Sequence, residues 1–132
     1  EHYFVESDDE DSNWIDSKDY RFFGVTEYTP KSGMGADRED AIKKIHKAVT
    51  DARWPYPYSI GYVIGGDSRL QIVAAMKNYA EMADPDPSMM KILTTSMGSE
   101  EAAKSTLKQF GASNEGSSYT VYEYRADLST PQ

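Results

Sequence analysis

One stretch of the chain combines the residue types that bind anions. The segment Tyr62–Arg69 has the sequence YVIGGDSR, in which an apolar run enters a glycine pair before a predicted helix. Glycines let a ligand approach the backbone closely, and the N–H groups at a helix start attract phosphate or an oxyanion. The segment lacks a P-loop lysine and the G-x-G-x-x-G spacing, so a tight turn with a capping serine is the alternative. The candidate anion-binding residues are Gly65, Gly66, Ser68 and Arg69.

An aromatic loop is the strongest candidate for contact with a partner. Residues Arg53–Tyr58 have the sequence RWPYPY, with three aromatic rings and two prolines in six positions. Proline stiffens the chain and reduces the entropy lost on binding, and Trp, Tyr and Arg are enriched at interface hot spots. We predict that Trp54, Tyr56 and Tyr58 contact a partner. The alternative is that these rings close the end of a sheet over the first helix.

Tyrosine is unusually frequent, with ten residues against four phenylalanines and two tryptophans. A tyrosine can bury its ring while its hydroxyl stays in water, which suits half-exposed sheets and interfaces. Because many of these tyrosines fall in predicted strands, we expect one sheet face to pack against protein. This prediction adds Tyr62, Tyr122 and Tyr124 to the partner-binding residues.

The residue types needed for catalysis or metal binding are sparse. There is no cysteine, which excludes thiolate nucleophiles and cysteine-ligated metals. His46 lies at the margin of an apolar helical stripe, and one histidine cannot build a multi-histidine metal site. Asp84 and Asp86 alternate with prolines but lack the EF-hand spacing. The sequence therefore predicts no catalytic residue, no metal site and no cofactor, and it favours a protein that is not an enzyme.

The elements that position these residues follow from their apolar spacing. Residues 37–53, 66–83 and 99–111 have helical periodicity, and Ser68 and Ser99 are placed as N-caps of the last two. Strands are predicted from β-branched and aromatic alternation. The predicted strands are Phe22–Thr29, Tyr58–Ile64, Met90–Ser96 and Tyr119–Leu128.

The predicted order of elements is βαβ–α–βαβ, with the middle helix bridging two halves. This order resembles the ferredoxin-like sandwich. We therefore expect an α+β fold with a four-stranded, mainly antiparallel sheet and helices on one face. Residues 20–128 would form this single domain, after an acidic extension at 1–19 and before a tail at 129–132.

Charge is concentrated in the predicted extension. Residues 1–19 contain eight acidic residues and one lysine, so they carry −7 of the net charge of −8. Such a run is typical of a mobile tail, and the alternative is docking onto a basic partner with Phe4 and Trp14 as apolar anchors. The rest of the chain offers no basic face for nucleic acid. No apolar run is long enough for membrane insertion.

These features favour a non-catalytic protein-binding or assembly module, as a subunit or accessory component of a larger complex. Its partner would be another protein or a second copy of the chain. One alternative is a small enzyme that resembles dimeric α+β-barrel proteins, with His46, Tyr62 or Arg69 in a cavity between two sheets. The other alternative is an anion or nucleotide sensor built on Gly65–Arg69.

Overall fold

Five strands form one open antiparallel sheet in the computed structural model, which describes residues 4–16, 18–64 and 69–124. The sheet order is β1-β3-β4-β2-β5, so β1 and β5 are its two edges. All four neighbouring pairs run antiparallel. The strands are β1 (Phe4–Asn13), β2 (Phe22–Pro30), β3 (Tyr58–Ile64), β4 (Arg69–Met76) and β5 (Asn114–Glu123).

Three α-helices accompany the sheet: α1 (Gly35–Ala52), α2 (Met89–Met97) and α3 (Glu100–Ala112). A short 3-10 helix at Tyr79–Met82 follows β4. The starts of α2 and α3 are capped by serines, whose hydroxyl oxygens accept backbone N–H groups three residues on. Gly98, at φ 73°, ends α2 in the left-handed conformation that glycine adopts without strain.

The helices share one core with one face of the sheet. Tyr58, Ile60 and Leu70 contribute from β3 and β4, while Val49 and Leu93 contribute from the helices. Leu70 and Leu93 are fully buried. Truncating either to alanine would cost about 3 kcal/mol of unfolding free energy, so this layer carries much of the stability.

The predicted helix at 66–83 is wrong, because its first half is the strand β4. Leu70, Ile72 and Ala74 recur at every second position and face the core side of the sheet. In a short apolar run this alternation and a helical stripe are hard to distinguish. The decisive factor is tertiary: β4 is central and pairs with β3 on one side and with β2 on the other.

The predicted strand Met90–Ser96 is also wrong, since this segment forms α2. Its Met, Ile, Leu and Lys residues include good helix formers. Ser88 before the segment and Gly98 after it are the start and stop signals of a helix. The βαβ–α–βαβ order with a bridging helix therefore does not hold.

The remaining predicted elements are close to those in the structure. The helices at 37–53 and 99–111 are confirmed as α1 and α3, and the strands at 22–29 and 58–64 as β2 and β3. The last strand begins at Asn114, five residues before the prediction, and its predicted end lies outside the described residues. The α+β class is confirmed, but the sheet has five strands rather than four.

The fifth strand comes from the predicted acidic extension. β1 pairs with β3 from Phe4 opposite Ile64 to Asn13 opposite Tyr58, with an irregular register between Asp8 and Asn13. The expectation of a mobile tail is therefore wrong for residues 4–13. Charge alone does not indicate disorder here, because backbone pairing with β3 fixes the segment.

Candidate functional site

The aromatic loop Arg53–Tyr58 is anchored on two sides. The Trp54 indole N–H donates to the Pro87 carbonyl oxygen at 2.8 Å, and the Tyr56 hydroxyl bonds to the backbone of Asp86. From β1, the Asn13 side-chain amide donates to the carbonyl oxygens of Trp54 and Tyr56, each at 3.1 Å. The loop thus presents its rings from a fixed position.

The rings of this loop separate two clefts. The larger, which we call the outer groove, has a volume of about 770 Å³ and lies between the loop, the connection before β2, the end of β4 and the 3-10 helix. Its wall includes Asp16, Glu81 and Asp84 against the single cation Lys77. The predicted partner-binding residues Trp54 and Tyr56 both line it.

The smaller cleft, which we call the inner cleft, lies between the sheet and the helices. Its volume is about 330 Å³. Ile72 and Ala74 of β4 form part of the sheet side, and Ile45 and Phe110 form part of the helix side. None of the described residues that line it carries a charged side chain, so the two clefts differ sharply in polarity.

The strand β5 presents a long exposed edge. Among the described strands only β2 pairs with it, and every residue after Asn114 is exposed. The Tyr124 N–H donates to the Arg21 carbonyl oxygen at 2.7 Å. Because amide directions alternate in an antiparallel pair, the N–H groups of Tyr119 and Val121 point away from β2. The large exposed side chains here are Tyr119, Val121, Tyr122 and Tyr124.

A close approach to glycine holds Tyr119 against the sheet. Tyr119 pairs with Thr26 of β2, and its ring lies across the neighbouring Gly24. A Cβ added at Gly24 would overlap the Tyr119 hydroxyl oxygen. Glycine at this position therefore lets an aromatic ring of the edge strand cover the backbone of β2.

The β1 edge is held by a charged contact instead. Asp11 is only 1% exposed, and its two carboxylate oxygens accept hydrogen bonds from the Lys43 ammonium of α1 at 3.0 and 2.9 Å. The Asp8 carboxylate accepts the backbone N–H of Asp11 at 3.1 Å. Burial, with the charge of Asp11 as a smaller cause, raises the pKa of Asp8 above its ordinary value.

The predicted tyrosine face is divided between two environments. Tyr58 is a core residue at 8% exposure, and burial raises its pKa to about 12. Tyr62 lies on the same side of β3 and donates its hydroxyl to a Glu39 carboxylate oxygen at 2.9 Å. Tyr122 and Tyr124 are exposed at the opposite edge of the sheet. The structure therefore does not bring these four residues into one surface.

The other predicted site residues are also dispersed. The Arg69 guanidinium lies against the Glu27 carboxylate at 2.6 Å, which places a negative charge where a bound anion was expected. Gly65, Gly66 and Ser68 lie outside the described residues. Phe4 pairs through its backbone with Ile64, and Trp14 is 45% exposed with its ring 5.7 Å from that of Tyr20.

Within the described ranges, no group of three or more His, Cys, Asp or Glu residues is placed to hold a metal ion. The Nε2 atom of His46 lies 3.3 Å from the Thr50 hydroxyl oxygen one turn along the same helix. No helix in the described part of the chain is long and apolar enough to cross a membrane.

Comparisons of the chain with protein-family models, curated proteins and solved structures give no match. The geometry of the described residues is therefore the basis for the function proposed below.

Sequence reasoning missed three residues that shape these surfaces. The sequence pattern places Tyr119 at the start of a predicted strand but marks neither Tyr119 nor Gly24 as a site residue. Asp11 was one acidic residue in a run of charges. Only strand pairing reveals that Gly24 lies beneath Tyr119, and only the approach of α1 to β1 gives Asp11 its cation.

Proposed function

We propose that this chain is a non-catalytic protein-binding module that takes up an extended segment of a partner protein along the outer side of β5. The observation that carries the proposal is the exposed edge of β5, with its aromatic side chains and outward amides. An unprotected edge strand is a template for another strand. Addition of a partner strand is a common mode of peptide recognition, in which backbone hydrogen bonds supply affinity and alternate side chains supply specificity.

The side chains of β5 suit this mode of binding. Tyr119 and Val121 project from one face of the sheet, and Tyr122 projects from the other. Cross-strand pairs of aromatic and β-branched residues are among the more favourable pairs in antiparallel sheets. A partner strand with Val, Ile or Thr at alternate positions would therefore find a neighbour on both faces.

Charge favours a basic partner over a second copy of the chain. The protein carries a net charge of −8, and both charged residues of β5, Glu115 and Glu123, are acidic. In a symmetric antiparallel pairing centred on Tyr119, Glu115 of each copy would lie opposite Glu123 of the other, which is unfavourable. A partner segment with lysine or arginine flanking its apolar residues would instead be attracted by Glu115 and Glu123.

The architecture supports such a role without specifying it. We propose that β2, α1, β3, β4, the α2–α3 pair and β5 form a ferredoxin-like β-α-β-β-α-β unit, to which β1 adds a further edge strand. That fold serves many functions, so the assignment adds no argument for a particular partner.

The test uses the substitution Val121→Pro. Proline removes the outward N–H of residue 121, which a partner strand would need, and leaves the hydrogen bonds to β2 in place. The matched control is Val121→Thr, which keeps the amide and the β-branched shape. The probe is a blocked synthetic peptide of alternating valine and threonine flanked by lysines, with a glutamate-flanked peptide as the charge control.

We expect Val121→Pro to weaken binding of the lysine-flanked peptide about tenfold, and Val121→Thr to change it less than twofold. Titrations followed by amide NMR shifts would give both affinities and show whether the Tyr119 and Val121 amides respond. Equal affinity of the proline and threonine variants, or no binding by the unmodified chain, would overturn the proposal.

A further inference from the structure

We propose that the inner cleft is a binding site for an uncharged, largely apolar small molecule that carries a single polar group. This site is separate from the β5 edge and does not depend on the function proposed above. Its occupant is identified by the size of the cleft, by the uncharged side chains of the described residues that line it and by a tyrosine hydroxyl on its wall.

The size and lining of the cleft are those of a small-molecule site. At about 330 Å³ it falls near the lower end of the usual range for ligand pockets. Aliphatic and aromatic side chains dominate the walls, among them Ile42, Ile72, Met89 and Phe110. Met89 is adaptable because its unbranched thioether can adjust to the shape of a ligand.

The charge of the ligand follows from the walls. In the part of the chain that the structure describes, no Asp, Glu, Lys, Arg or His side chain lines the cleft. A charged group that enters such a space loses its hydration without gaining a counter-ion, which is strongly unfavourable. The cleft should therefore discriminate against a carboxylate in favour of an alcohol of the same length.

The wall of the cleft also carries a tyrosine hydroxyl that can bind a polar group. Tyr58 lines the cleft and is 8% exposed, but no described residue accepts a hydrogen bond from its hydroxyl. A hydroxyl can both donate and accept a hydrogen bond, so it could bind the one polar group of a ligand in the cleft. Burial raises the pKa of Tyr58 to about 12, which keeps the hydroxyl protonated as a donor near neutral pH.

A spectroscopic reporter is already in place, because Trp54 also lines the cleft. The chain has two tryptophans, and Trp14 → Phe would leave Trp54 as the single emitter. Titration of this variant with decan-1-ol and with decanoate at pH 8 compares two probes of equal chain length that differ in charge. We expect decan-1-ol to shift the Trp54 emission and to bind at least about tenfold more tightly than decanoate.

Two sets of variants locate the site. Ile45→Phe places extra volume on the helix side of the cleft and should reduce decan-1-ol affinity at least about tenfold. Leu107→Phe does the same from α3, in case the first variant fails to fold. Tyr58→Phe keeps the ring and should weaken decan-1-ol binding about two- to tenfold, the effect of one lost hydrogen bond.

Three outcomes would overturn the proposal. Equal affinity for decan-1-ol and decanoate would mean nonspecific adsorption. Decan-1-ol affinity that is unchanged in both Ile45→Phe and Leu107→Phe would mean the same. A change of molecular mass in solution on Ile45→Phe would mean that the cleft is covered by a second copy of the chain. Binding of the lysine-flanked peptide at β5 should be the same in Ile45→Phe as in the unmodified chain, so the two proposals can fail separately.

Discussion

The two edges of the same sheet are built in opposite ways. β1 has five acidic residues among ten and a charged contact to α1 through Asp11 and Lys43. The pairing of each edge strand has one irregularity in its register, so the register does not distinguish the two edges. β5 has acidic residues only near its two ends, contains neither lysine nor proline, and exposes Tyr119, Val121 and Tyr122 between them. Charged side chains are one of the devices by which proteins prevent strand addition at an edge. This difference is the reason that we propose β5, and not β1, as the edge that takes up a partner strand.

The protection of β1 also has an energetic cost that β5 avoids. Several carboxylates are held close together, and Asp11 is almost fully buried. A buried charge is tolerated only when it is paired and hydrogen-bonded. Lys43 supplies that pairing for Asp11, whereas the rings of β5 need none. Substitutions at each edge should therefore show whether charge or packing holds that edge in place.

Of the three substitutions that test the sheet edges, the one at Asp11 should change the free energy of unfolding most. Asp11→Ala removes the buried carboxylate that links β1 to α1 and should lower the free energy of unfolding by about 1–2 kcal/mol. Urea denaturation monitored by circular dichroism would measure the change. The control is Asp9→Ala on the same strand, where the exposed side chain should contribute less than about 0.5 kcal/mol. Equal losses at the two positions would mean that the contact between Asp11 and Lys43 does not hold β1 in place.

A substitution at Gly24 should change the free energy of unfolding by an intermediate amount. Gly24→Ala would force the Tyr119 ring away from β2 and should cost about 1 kcal/mol. In a Tyr119→Ala background the same substitution meets no ring and should instead be neutral or stabilising, because alanine reduces the entropy of the unfolded chain. A double-mutant cycle measures this coupling directly. Additive effects would show that the contact between Tyr119 and Gly24 does not hold β5.

A substitution at Asp8 should change the free energy of unfolding least, and it should raise this free energy rather than lower it. Its raised pKa means that the folded state disfavours the ionised carboxylate, so stability is lost as the pH rises through that pKa. Asp8→Asn keeps an oxygen to accept the Asp11 N–H and should stabilise the protein at pH 7. The gain should vanish below about pH 3.9, where the aspartate is itself protonated. Thermal unfolding at both pH values checks this, with Asp9→Asn as the exposed control.

The candidate binding residues were partly predictable from the sequence. The proline-flanked rings of Trp54 and Tyr56 stood out by composition, and both line the clefts. Tyr58, Tyr62 and Tyr122 share a residue type and lie in strands, yet burial separates Tyr58 from Tyr122. Alternation within a strand does not say which face the helices cover. That information depends on contacts between residues distant in sequence.

The sequence by itself determined the α+β class, the helices α1 and α3 and the strands β2 and β3. In these elements the apolar periodicity agrees with the boundary signals, such as the serine cap of α3 and Pro55 after α1, over a long enough stretch to favour one conformation. Tertiary structure alone decided that Arg69–Met76 is a central strand and that Phe4–Asn13 joins the sheet. A short apolar run or an acidic run has no strong local preference, so strand partners on either side, or one cation at the right distance, determine its conformation.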